Sequence, residues 1–543
     1  MERRTLLTAA AALVTATAVT ACSGGRDSGN GGSDTGKAGG TPPDGRTAAP
    51  SGTPSGTPAT VKAAPNGPSW STLAKGLDGD LVRPGDAEYA TARQLYNTRF
   101  DTLKPAALAY VANEDDVKEC LAFARAHGTP VSVRGGGHSY AGFSSGNGRL
   151  VIDVSKLDSL DSATSDGTVG AGARLGDVYR TLATRGRTIP AGSCPTVSVA
   201  GLTLGGGHGV AARAYGLACD SLTSATVITA DGTRLTADAK QNTDLFWALR
   251  GAGNGNFGVV TDLRFRTHPA PDGVSAFLSW PWSKADALLA AWQDWGPSQP
   301  DEIWSSLHLD GGPGGVTPTL SVSVFSLGSE AGLHHAVDNL ADRTGGPGPA
   351  RSVSIKSRAY GEAMQVYGGC SGLTQEQCRL GGSTPGRSLQ GALQRETYTA
   401  ASDFFDRALS AAGRRALISA AEDFTRIPAG QGGGGGSIAL TALGGAINRV
   451  DPLATAFVHR RSRMLAQYIA SWQSGTPGTA QQAWLKNAHA SIRRYASGAA
   501  YQNYVDPALS DWRKAYYGPA ADRLTKLKKR YDPDRLFDFA QAL

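Results

Sequence analysis

The sequence predicts a protein of mixed helices and strands, built from more than one domain. The chain has 543 residues, whereas an ordinary domain has roughly 100–200. Hydrophobic residues make up 40% of it and charged residues 18%, which is enough apolar material for a substantial core. Strand and helix patterns alternate from Ala106, and amphipathic β runs take over after Pro271. We therefore expect one domain over residues 67–270 and a second over 271–499.

Residues 1–22 are predicted to be an export signal. Arg3 and Arg4 precede an alanine-rich apolar stretch that is too short to span a membrane. Paired arginines are typical of twin-arginine export, and the sequence VTAC at 19–22 matches a lipobox in which Cys22 is acylated. The alternative is an ordinary signal peptide cut after Ala18. We expect either a lipoprotein on the outer face of the cell membrane, touching it only through this anchor, or a secreted protein.

Residues 23–66 are the predicted tether between this signal and the folded part of the chain. Residues 23–60 contain no Val, Ile, Leu, Met or aromatic residue. Such a segment buries too little apolar surface to offset the entropy lost on ordering. We expect the fold to begin near Trp70.

Local signals define the elements of the first domain. Asn113 is the N-cap of a predicted helix that ends at Gly128, and Asp231-Gly232 is the turn of a predicted hairpin over 224–237. The remaining strands are predicted at 106–112, 129–134, 149–157, 167–173 and 258–269, and the remaining helices at 174–186 and 242–253.

The second domain is predicted to contain amphipathic strands separated by helices. Strands are predicted at 276–282, 319–325 and 437–443, and helices at 329–343 and 404–426. A loop of five glycines precedes the third of these strands, and residues 500–543 are aromatic and helical.

Several kinds of site are excluded. Residues 253–258 match the dinucleotide pattern G-x-G-x-x-G, but a predicted helix precedes them and a strand follows, the reverse of a Rossmann turn. The nine histidines show no metal-ligand spacing, so we expect no metal site. No G-x-S-x-G elbow of a serine hydrolase is present. The net charge of +7 is spread without a Lys/Arg run, which argues against nucleic acid as a partner.

Two glycine-rich loops of the first domain carry reactive side chains. Residues 134–139 (RGGGHS) hold His138, and residues 188–209 hold Cys194 ahead of a second run, GGGHG. Successive glycines let backbone N–H groups converge on a diphosphate. Tight turns between strands are the alternative explanation for either loop alone. Two such loops in one domain favour a binding site.

The positions of the six cysteines predict different roles for them. One of the six belongs to the signal. Cys370 and Cys378 are predicted to close a short disulfide loop, as expected outside the cytoplasm. Cys120 and Cys219 lie in the same domain and either form a second disulfide or stay as buried thiols. Cys194 is then left without a structural role.

Together these motifs resemble the berberine bridge enzyme-like FAD-linked oxidases. The resemblance rests on residues 133–157, 188–222 and 244–265, and on the C-terminal segment that begins YQNYVD at Tyr501. It implies an α+β fold of the p-cresol methylhydroxylase/vanillyl-alcohol oxidase type. Such a fold has a two-subdomain FAD-binding domain, to which residues 500–543 would return after a substrate domain with an antiparallel sheet and helices.

The resemblance also implies that one FAD is attached at two points. His138 corresponds to the family histidine bonded to the flavin 8α-methyl group, and Cys194 to the cysteine bonded to flavin C6 in bicovalent members. Imidazole and thiolate are nucleophiles suited to such bonds, and two bonds would prevent loss of the cofactor outside the cell. The other implied FAD contacts are Arg134, Gly135, Gly136, Gly137, Ser139, Gly192, Ser193, Gly201, Gly205, Gly206, Gly207, His208, Gly209, Gly258, Val260 and Asn503.

The implied function is that of an oxidase. It would transfer a hydride from an alcohol or hemiacetal carbon of a sugar-like or polyhydroxy substrate to FAD, and O2 would reoxidise the flavin to give H2O2. The alternatives are a flavin-dependent dehydrogenase or tailoring enzyme of secondary metabolites, and a lipid-anchored binding protein with an idle flavin. We expect a monomer whose partners are the substrate and O2.

The catalytic base departs from the family pattern. Thr441 stands where related sugar oxidases carry an aspartate, and Ala454 lies near the position of a glutamate in plant alkaloid-type members. The base is therefore not a carboxylate on this predicted strand region, and we assign it to Tyr501. Tyr504 is the alternative base, and packing in the core is the alternative role for both tyrosines.

Overall fold

The computed structural model describes residues 69–161 and 166–543. The predicted export signal, the predicted acylation site Cys22 and the predicted tether lie outside the described residues. Within the two described ranges, no helix is both long and apolar enough to cross a membrane.

The first domain begins with a four-stranded sheet. Its elements are α1 (Trp70–Gly76), β1 (Asp80–Val82), α2 (Tyr89–Ala92), β2 (Ala107–Tyr110), α3 (Glu114–His127), β3 (Val131–Arg134) and β4 (Leu150–Asp153). The strand order is β1-β2-β4-β3, with β2 and β3 parallel to β4. As predicted, the Asn113 side chain accepts hydrogen bonds from the N–H groups of Asp115 and Asp116, and Gly128 ends α3 with a φ of 62°.

A five-stranded antiparallel sheet follows. Its elements are β5 (Leu160–Asp161), β6 (Asp166–Gly170), α4 (Leu175–Ala183), β7 (Arg187–Thr188), α5 (Val199–Leu204), α6 (Ala212–Tyr215), α7 (Ala218–Ser221), β8 (Leu222–Ile228), β9 (Arg234–Asp238), α8 (Thr243–Leu249), β10 (Val259–Arg266) and β11 (His268–Pro269). The order is β5-β6-β10-β8-β9, while β7 and β11 pair separately. The predicted hairpin is the β8-β9 pair, and Gly232 in its turn has a φ of 87°.

The two sheets share one apolar core. Ile152 of the first sheet, Val227 and Leu263 of the second, and Trp247 of α8 are all buried in it. The first glycine-rich loop leaves β3 of this core, and the second is anchored in it by Ile189 and Val199, so the core fixes where both loops lie.

The second domain is a seven-stranded antiparallel sheet with helices on one face. Its elements are β12 (Gly273–Trp280), α9 (Ala285–Ser298), β13 (Ile303–Gly311), β14 (Thr319–Ser326), α10 (Glu330–Ala341), β15 (Ser352–Arg358), α11 (Tyr360–Tyr367), β16 (Tyr398–Phe405), α12 (Ala411–Thr425), β17 (Gly436–Ala442), α13 (Ala446–Arg449), β18 (Met464–Ser471) and α14 (Thr479–Arg493). The strand order is β15-β12-β14-β13-β17-β18-β16. Side chains such as Leu307 and Leu309 are buried in the core with α9, α10, α12 and α14, so the other face is left for the first domain.

The helix predicted over 404–426 is shorter than expected. Phe404 and Phe405 are buried residues at the end of β16, and the helix begins only at Ala411. Ser410 caps it by accepting a hydrogen bond from the Gly413 N–H. The apolar run of the sequence therefore combines the end of a strand with the start of a helix, and periodicity alone does not separate them.

The C-terminal segment packs against the first domain. It contains α15 (Trp512–Tyr517) and α16 (Ala521–Tyr531). The buried Lys528 ammonium donates to the carbonyl of Asn256 at 2.8 Å and pairs with Asp532 at 2.6 Å. The Leu543 N–H donates to the Asn256 side chain at 3.1 Å. These contacts hold the end of the chain on the loop between α8 and β10.

The predicted disulfide between Cys370 and Cys378 is confirmed, and Cys120 and Cys219 follow the second of their two alternatives, that of buried thiols. Cys370 and Cys378 form a disulfide, with Cα atoms 5.5 Å apart. Cys120 and Cys219 do not pair, and both are free, buried thiols. They belong to different apolar clusters, Cys120 in the core of the first domain and Cys219 beside Phe404 and Phe457. Membership of one domain therefore did not bring them together.

Candidate active site

A cavity of about 380 Å³ lies where the two domains meet. The two glycine-rich loops of the first domain form one wall. Side chains of β13, β14, β17 and β18 form the opposite wall, and residues 501–505 lie between the two. Sequence motifs that are far apart along the chain thus line one continuous space.

The two glycine-rich loops touch through their backbones. A Cβ atom at Gly136 would lie only 2.7 Å from the backbone nitrogen of Ser198, and one at Gly135 would overlap the Ser198 hydroxyl. A larger residue at either position would push the loops apart. The glycines therefore allow the loops to lie side by side along the cavity.

The two predicted flavin-attachment residues meet at Thr196. Nε2 of His138 lies 2.9 Å from the Thr196 hydroxyl oxygen, and Sγ of Cys194 lies 3.7 Å from the same oxygen. Tyr96 stacks on the imidazole of His138, with ring centroids 4.1 Å apart. Burial, assisted by the positive charge of Arg174, lowers the pKa of His138 to about 3. The imidazole is therefore neutral near pH 7 and keeps a lone pair for bonding.

The bond between Cys194 and the flavin stays a prediction.

Most of the predicted cofactor contacts line the cavity. They are Gly135, Gly136, Gly137, His138, Ser139, Gly192, Ser193, Cys194, Gly201, His208, Gly209, Gly258, Val260 and Asn503. Arg134, Gly205, Gly206 and Gly207 are not part of this lining.

Arg134 is directed away from the cavity. Its guanidinium pairs with Asp153 and donates to the carbonyl of Ala92 at 2.8 Å and to the Tyr110 hydroxyl at 3.3 Å. Only 4% of Arg134 is exposed. Its side chain thus stabilises the base of the first glycine-rich loop.

The glycines at 205–207 hold Tyr501 in place. A Cβ at Gly205 would overlap the Asn503 side chain, so this loop packs directly beneath the C-terminal segment. The Tyr501 hydroxyl oxygen accepts hydrogen bonds from the Gly207 N–H and from Nδ2 of Asn503, both at 2.8 Å. These donors stabilise a phenolate, but burial outweighs them and raises the pKa of Tyr501. Tyr501 is only 2% exposed, and it is both a core aromatic and part of the cavity wall.

Tyr504 belongs to a polar chain beside Tyr501. Its hydroxyl oxygen lies 2.7 Å from Nε2 of His208, whose pKa burial lowers to about 4. Its ring stacks on Tyr140, with centroids 5.4 Å apart, and the Tyr140 hydroxyl accepts a 2.7 Å hydrogen bond from Gln467. Tyr140 and Gln467 were not predicted. Tyr140 follows the first glycine-rich motif directly, whereas no local signal marks Gln467 on β18.

The sheet wall of the cavity is polar because β13 alternates between its two faces. Leu307 and Leu309 face the helices, while Ser306 and His308 face the cavity. Ser323 of β14 and Thr441 of β17 lie on the same wall. Ala454, by contrast, lies beyond the end of β17 at Ala442, in the segment before β18.

The half-buried carboxyl group of Asp310 continues the β13 row beyond His308. The Ser437 hydroxyl donates to Asp310 at 2.6 Å. Burial nevertheless dominates and raises the pKa of Asp310 to about 7. The carboxyl group is therefore partly protonated near neutral pH.

Known proteins are similar to this chain in both sequence and fold. Residues 105–238 match the FAD binding domain family, and residues 500–543 match the berberine and berberine-like family. The FAD-linked oxidoreductase YgaK of Bacillus subtilis is 32% identical over 477 residues, covering 86% of this chain and 97% of that protein. The chain belongs to the berberine bridge enzyme-like FAD-linked oxidoreductases.

Other members of the berberine bridge enzyme-like family extend the match. Chitooligosaccharide oxidase of Gibberella zeae is 30% identical over 467 residues (82% of this chain, 89% of that protein). Xylooligosaccharide oxidase of Thermothelomyces thermophilus is 30% identical over 481 residues (84% and 90%). The structure of BBE-like 1 from Physcomitrella patens is 31% identical with a TM-score of 0.76, covering 87% of this chain and 98% of that one. The predicted α+β fold is thereby confirmed, and the protein is an FAD-linked oxidoreductase.

The cavity fits the FAD of this berberine bridge enzyme-like family. Buried polar groups in proteins are normally hydrogen-bonded, yet several on these walls lack a partner within the described residues. They are Ser144 Oγ, His208 Nδ1, Trp304 Nε1, His308 Nδ1, Gln502 Oε1 and Gln541 Oε1. A large ligand with polar atoms along its length satisfies such a set. Among the described residues, no group of His, Cys, Asp and Glu is arranged to hold a metal ion.

Proposed function

We propose that this protein is an oxidase that takes a hydride from a CH–OH carbon of an oligosaccharide-like substrate and passes the electrons to O2, giving H2O2. Residues 67–270 and 500–543 would hold the FAD, and residues 271–499 would hold the substrate. The observation that carries the proposal is the placement of a hydroxyl-rich sheet wall opposite two tyrosines in one cavity. When bound, FAD supplies the hydride acceptor.

The sheet wall supports a polyhydroxy substrate. Ser306, His308, Ser323, Thr441 and Gln467 present hydroxyl, imidazole and amide groups to the cavity. Aromatic rings lie among them on the same lining, namely Phe277, Trp304, Tyr367 and Tyr398. Ring faces with a few convergent polar groups are typical of sites that bind small organic ligands and fix their orientation. The oligosaccharide substrates in the names of two relatives point to the same class.

His138 and Cys194 would hold the cofactor covalently. The neutral imidazole of His138 has a free lone pair, and its position beside Thr196 fixes the ring orientation. Cys194 shares the same threonine, so both reactive atoms face one part of the cavity.

Tyr501 would remove the hydroxyl proton as the hydride leaves. Tyr501 would act in its phenolate form, which becomes a neutral phenol when it takes the substrate proton. The Gly207 N–H and Nδ2 of Asn503 already donate to its oxygen, so they would stabilise that phenolate without rearrangement. Tyr504 is the alternative base, with His208 within hydrogen-bond distance to take up the proton. In this mechanism Gln467 keeps the Tyr140 ring in place against Tyr504.

Oxygen consumption with defined sugars tests the function. Purified holoenzyme would be mixed with chitooligosaccharides, xylooligosaccharides and phenolic alcohols, and O2 uptake and H2O2 release would be followed together. We expect equimolar O2 uptake and H2O2 release with at least one oligosaccharide series. Turnover only with an added dye acceptor would instead identify a dehydrogenase. Activity with phenolic alcohols alone would refute the assignment to carbohydrates.

A further inference from the structure

A second, smaller cavity lies behind the first glycine-rich loop. It encloses about 40 Å³, more than the ~10–15 Å³ that one water molecule requires. Gly135, Gly136 and Gly137 separate it from the large cavity, because these residues line both. Its other walls come from the first domain and from residues 380–387 of the second domain.

The charges around this small cavity do not balance. Arg134, Arg174 and Arg387 line it together with a single carboxylate, Asp153. Asp153 already pairs with Arg134. The neighbouring Arg379 does not change this balance of charges, because it pairs with Asp177 outside the cavity. The lining thus carries three guanidinium groups and one carboxylate, an excess of positive charge that a bound anion would offset.

The hydrogen bonds of Arg174 support the same conclusion. Its Nη2 donates to the Ser155 hydroxyl at 2.9 Å. Its Nη1 is buried and has no hydrogen-bond partner within the described residues. Burial and the nearby arginines lower the pKa of Arg387 to about 10, as expected where positive charges crowd together. An unpaired donor and crowded positive charge both favour a negatively charged ligand.

Residues 380–387 cover one side of the cavity, and the rest of the fold holds this segment in place. A Cβ at Gly386 would overlap the guanidinium of Arg174, so this segment lies directly on the arginine. Just before it, Gln375 and Arg379 donate to Asp177 of α4 at 2.6 and 3.1 Å. The volume of about 40 Å³ suits a small ion rather than a phosphate ester or a larger group.

We propose that this cavity is a binding site for a small inorganic anion of the size of chloride, held by Arg174 and Arg387 between the first glycine-rich loop and residues 380–387. The bound anion bridges the two domains. Thr196 lines the small cavity and also contacts His138. Only this one residue therefore separates the proposed anion site from the predicted flavin attachment point.

Thermal unfolding of the holoenzyme tests the site with chloride as the probe. Sodium chloride would replace sodium methanesulfonate at constant ionic strength, since methanesulfonate is a larger anion than chloride. We expect a saturable rise in Tm of about 1–3 °C, because a ligand that binds only the folded state stabilises it. Arg174→Gln and Arg387→Gln should each abolish the rise. Arg185→Gln, at an exposed arginine just after α4, is the matched control and should keep it.

An identical Tm of the wild-type enzyme in the two salts would overturn the proposal, as would an unchanged rise in both cavity variants. Crystals of the wild-type enzyme soaked in sodium bromide give a second measurement that does not depend on the folding of any variant. We expect an anomalous peak between the guanidinium groups of Arg174 and Arg387. A cavity that holds only water in the bromide crystals would equally overturn it.

Discussion

Replacing Tyr501 by Phe isolates the role of one oxygen atom. A general base typically contributes ~10²–10⁴-fold to a rate, which corresponds to about 3–5 kcal/mol of barrier. The structure also predicts a separate structural cost. The Gly207 N–H loses its acceptor, whereas Nδ2 of Asn503 keeps a hydrogen bond to the Leu202 carbonyl at 2.9 Å. One buried unpaired donor costs about 1–3 kcal/mol of stability.

The assay is anaerobic stopped-flow measurement of flavin reduction by a substrate found in the oxidase screen. We expect the flavin reduction rate of Tyr501→Phe to fall at least ~100-fold. Its free energy of unfolding should fall only by the cost of leaving the Gly207 N–H without an acceptor. Because the pKa of Tyr501 is raised, the fraction of phenolate grows with pH, so the wild-type rate should increase toward alkaline pH. The variant should lose that increase.

Tyr516→Phe is the matched structural control. Tyr516 is also 2% exposed, and its hydroxyl accepts a 2.8 Å hydrogen bond from a backbone N–H, that of Asp506. The two variants should lose similar stability, but only Tyr501→Phe should lose the reduction rate. A near wild-type rate in Tyr501→Phe would refute the reasoning, and so would an equal slowing in both. If Tyr504→Phe alone is slow, Tyr504 is the base.

Three further results are expected. After acid precipitation, His138→Ala and Cys194→Ala should each keep flavin through the remaining bond, and flavin that still stays with the double variant would disprove the assignment. Replacing both Cys370 and Cys378 by Ser should lower the free energy of unfolding by about 2–3 kcal/mol, since the unfolded chain loses a short cross-link; an unchanged denaturant midpoint would contradict this. Burial raises the pKa of Asp310 from 3.8 to about 7. Between these pH values the folded protein keeps a proton on Asp310 that the unfolded chain has lost, so the free energy of unfolding should fall as pH rises through that window. Asp310→Asn should flatten this part of the stability profile, and an unchanged profile would show that Asp310 does not cause it.

Local elements with a chemical start and stop could be predicted from sequence alone. Asn113 and Gly128 bound α3 because a cap side chain and a left-handed glycine act within a few residues. The β8-β9 hairpin follows from its Asp-Gly turn for the same reason. The short disulfide between Cys370 and Cys378 also depends only on nearby residues. Where one apolar run holds both a strand end and a helix start, as at Phe404, the boundary was missed.

The sequence by itself predicted His138 and Cys194 as the reactive residues, because the glycine-rich loops around them carry their own signal, and both residues line the cavity. Only the tertiary structure decided which groups face them. Gln467 and His308 come from strands far along the chain, and their direction into the cavity depends on the register of a seven-stranded sheet. The separate burial of Cys120 and Cys219 was likewise decided by packing. Contacts between distant segments are selected by the burial of whole faces, and no short stretch of sequence contains that information.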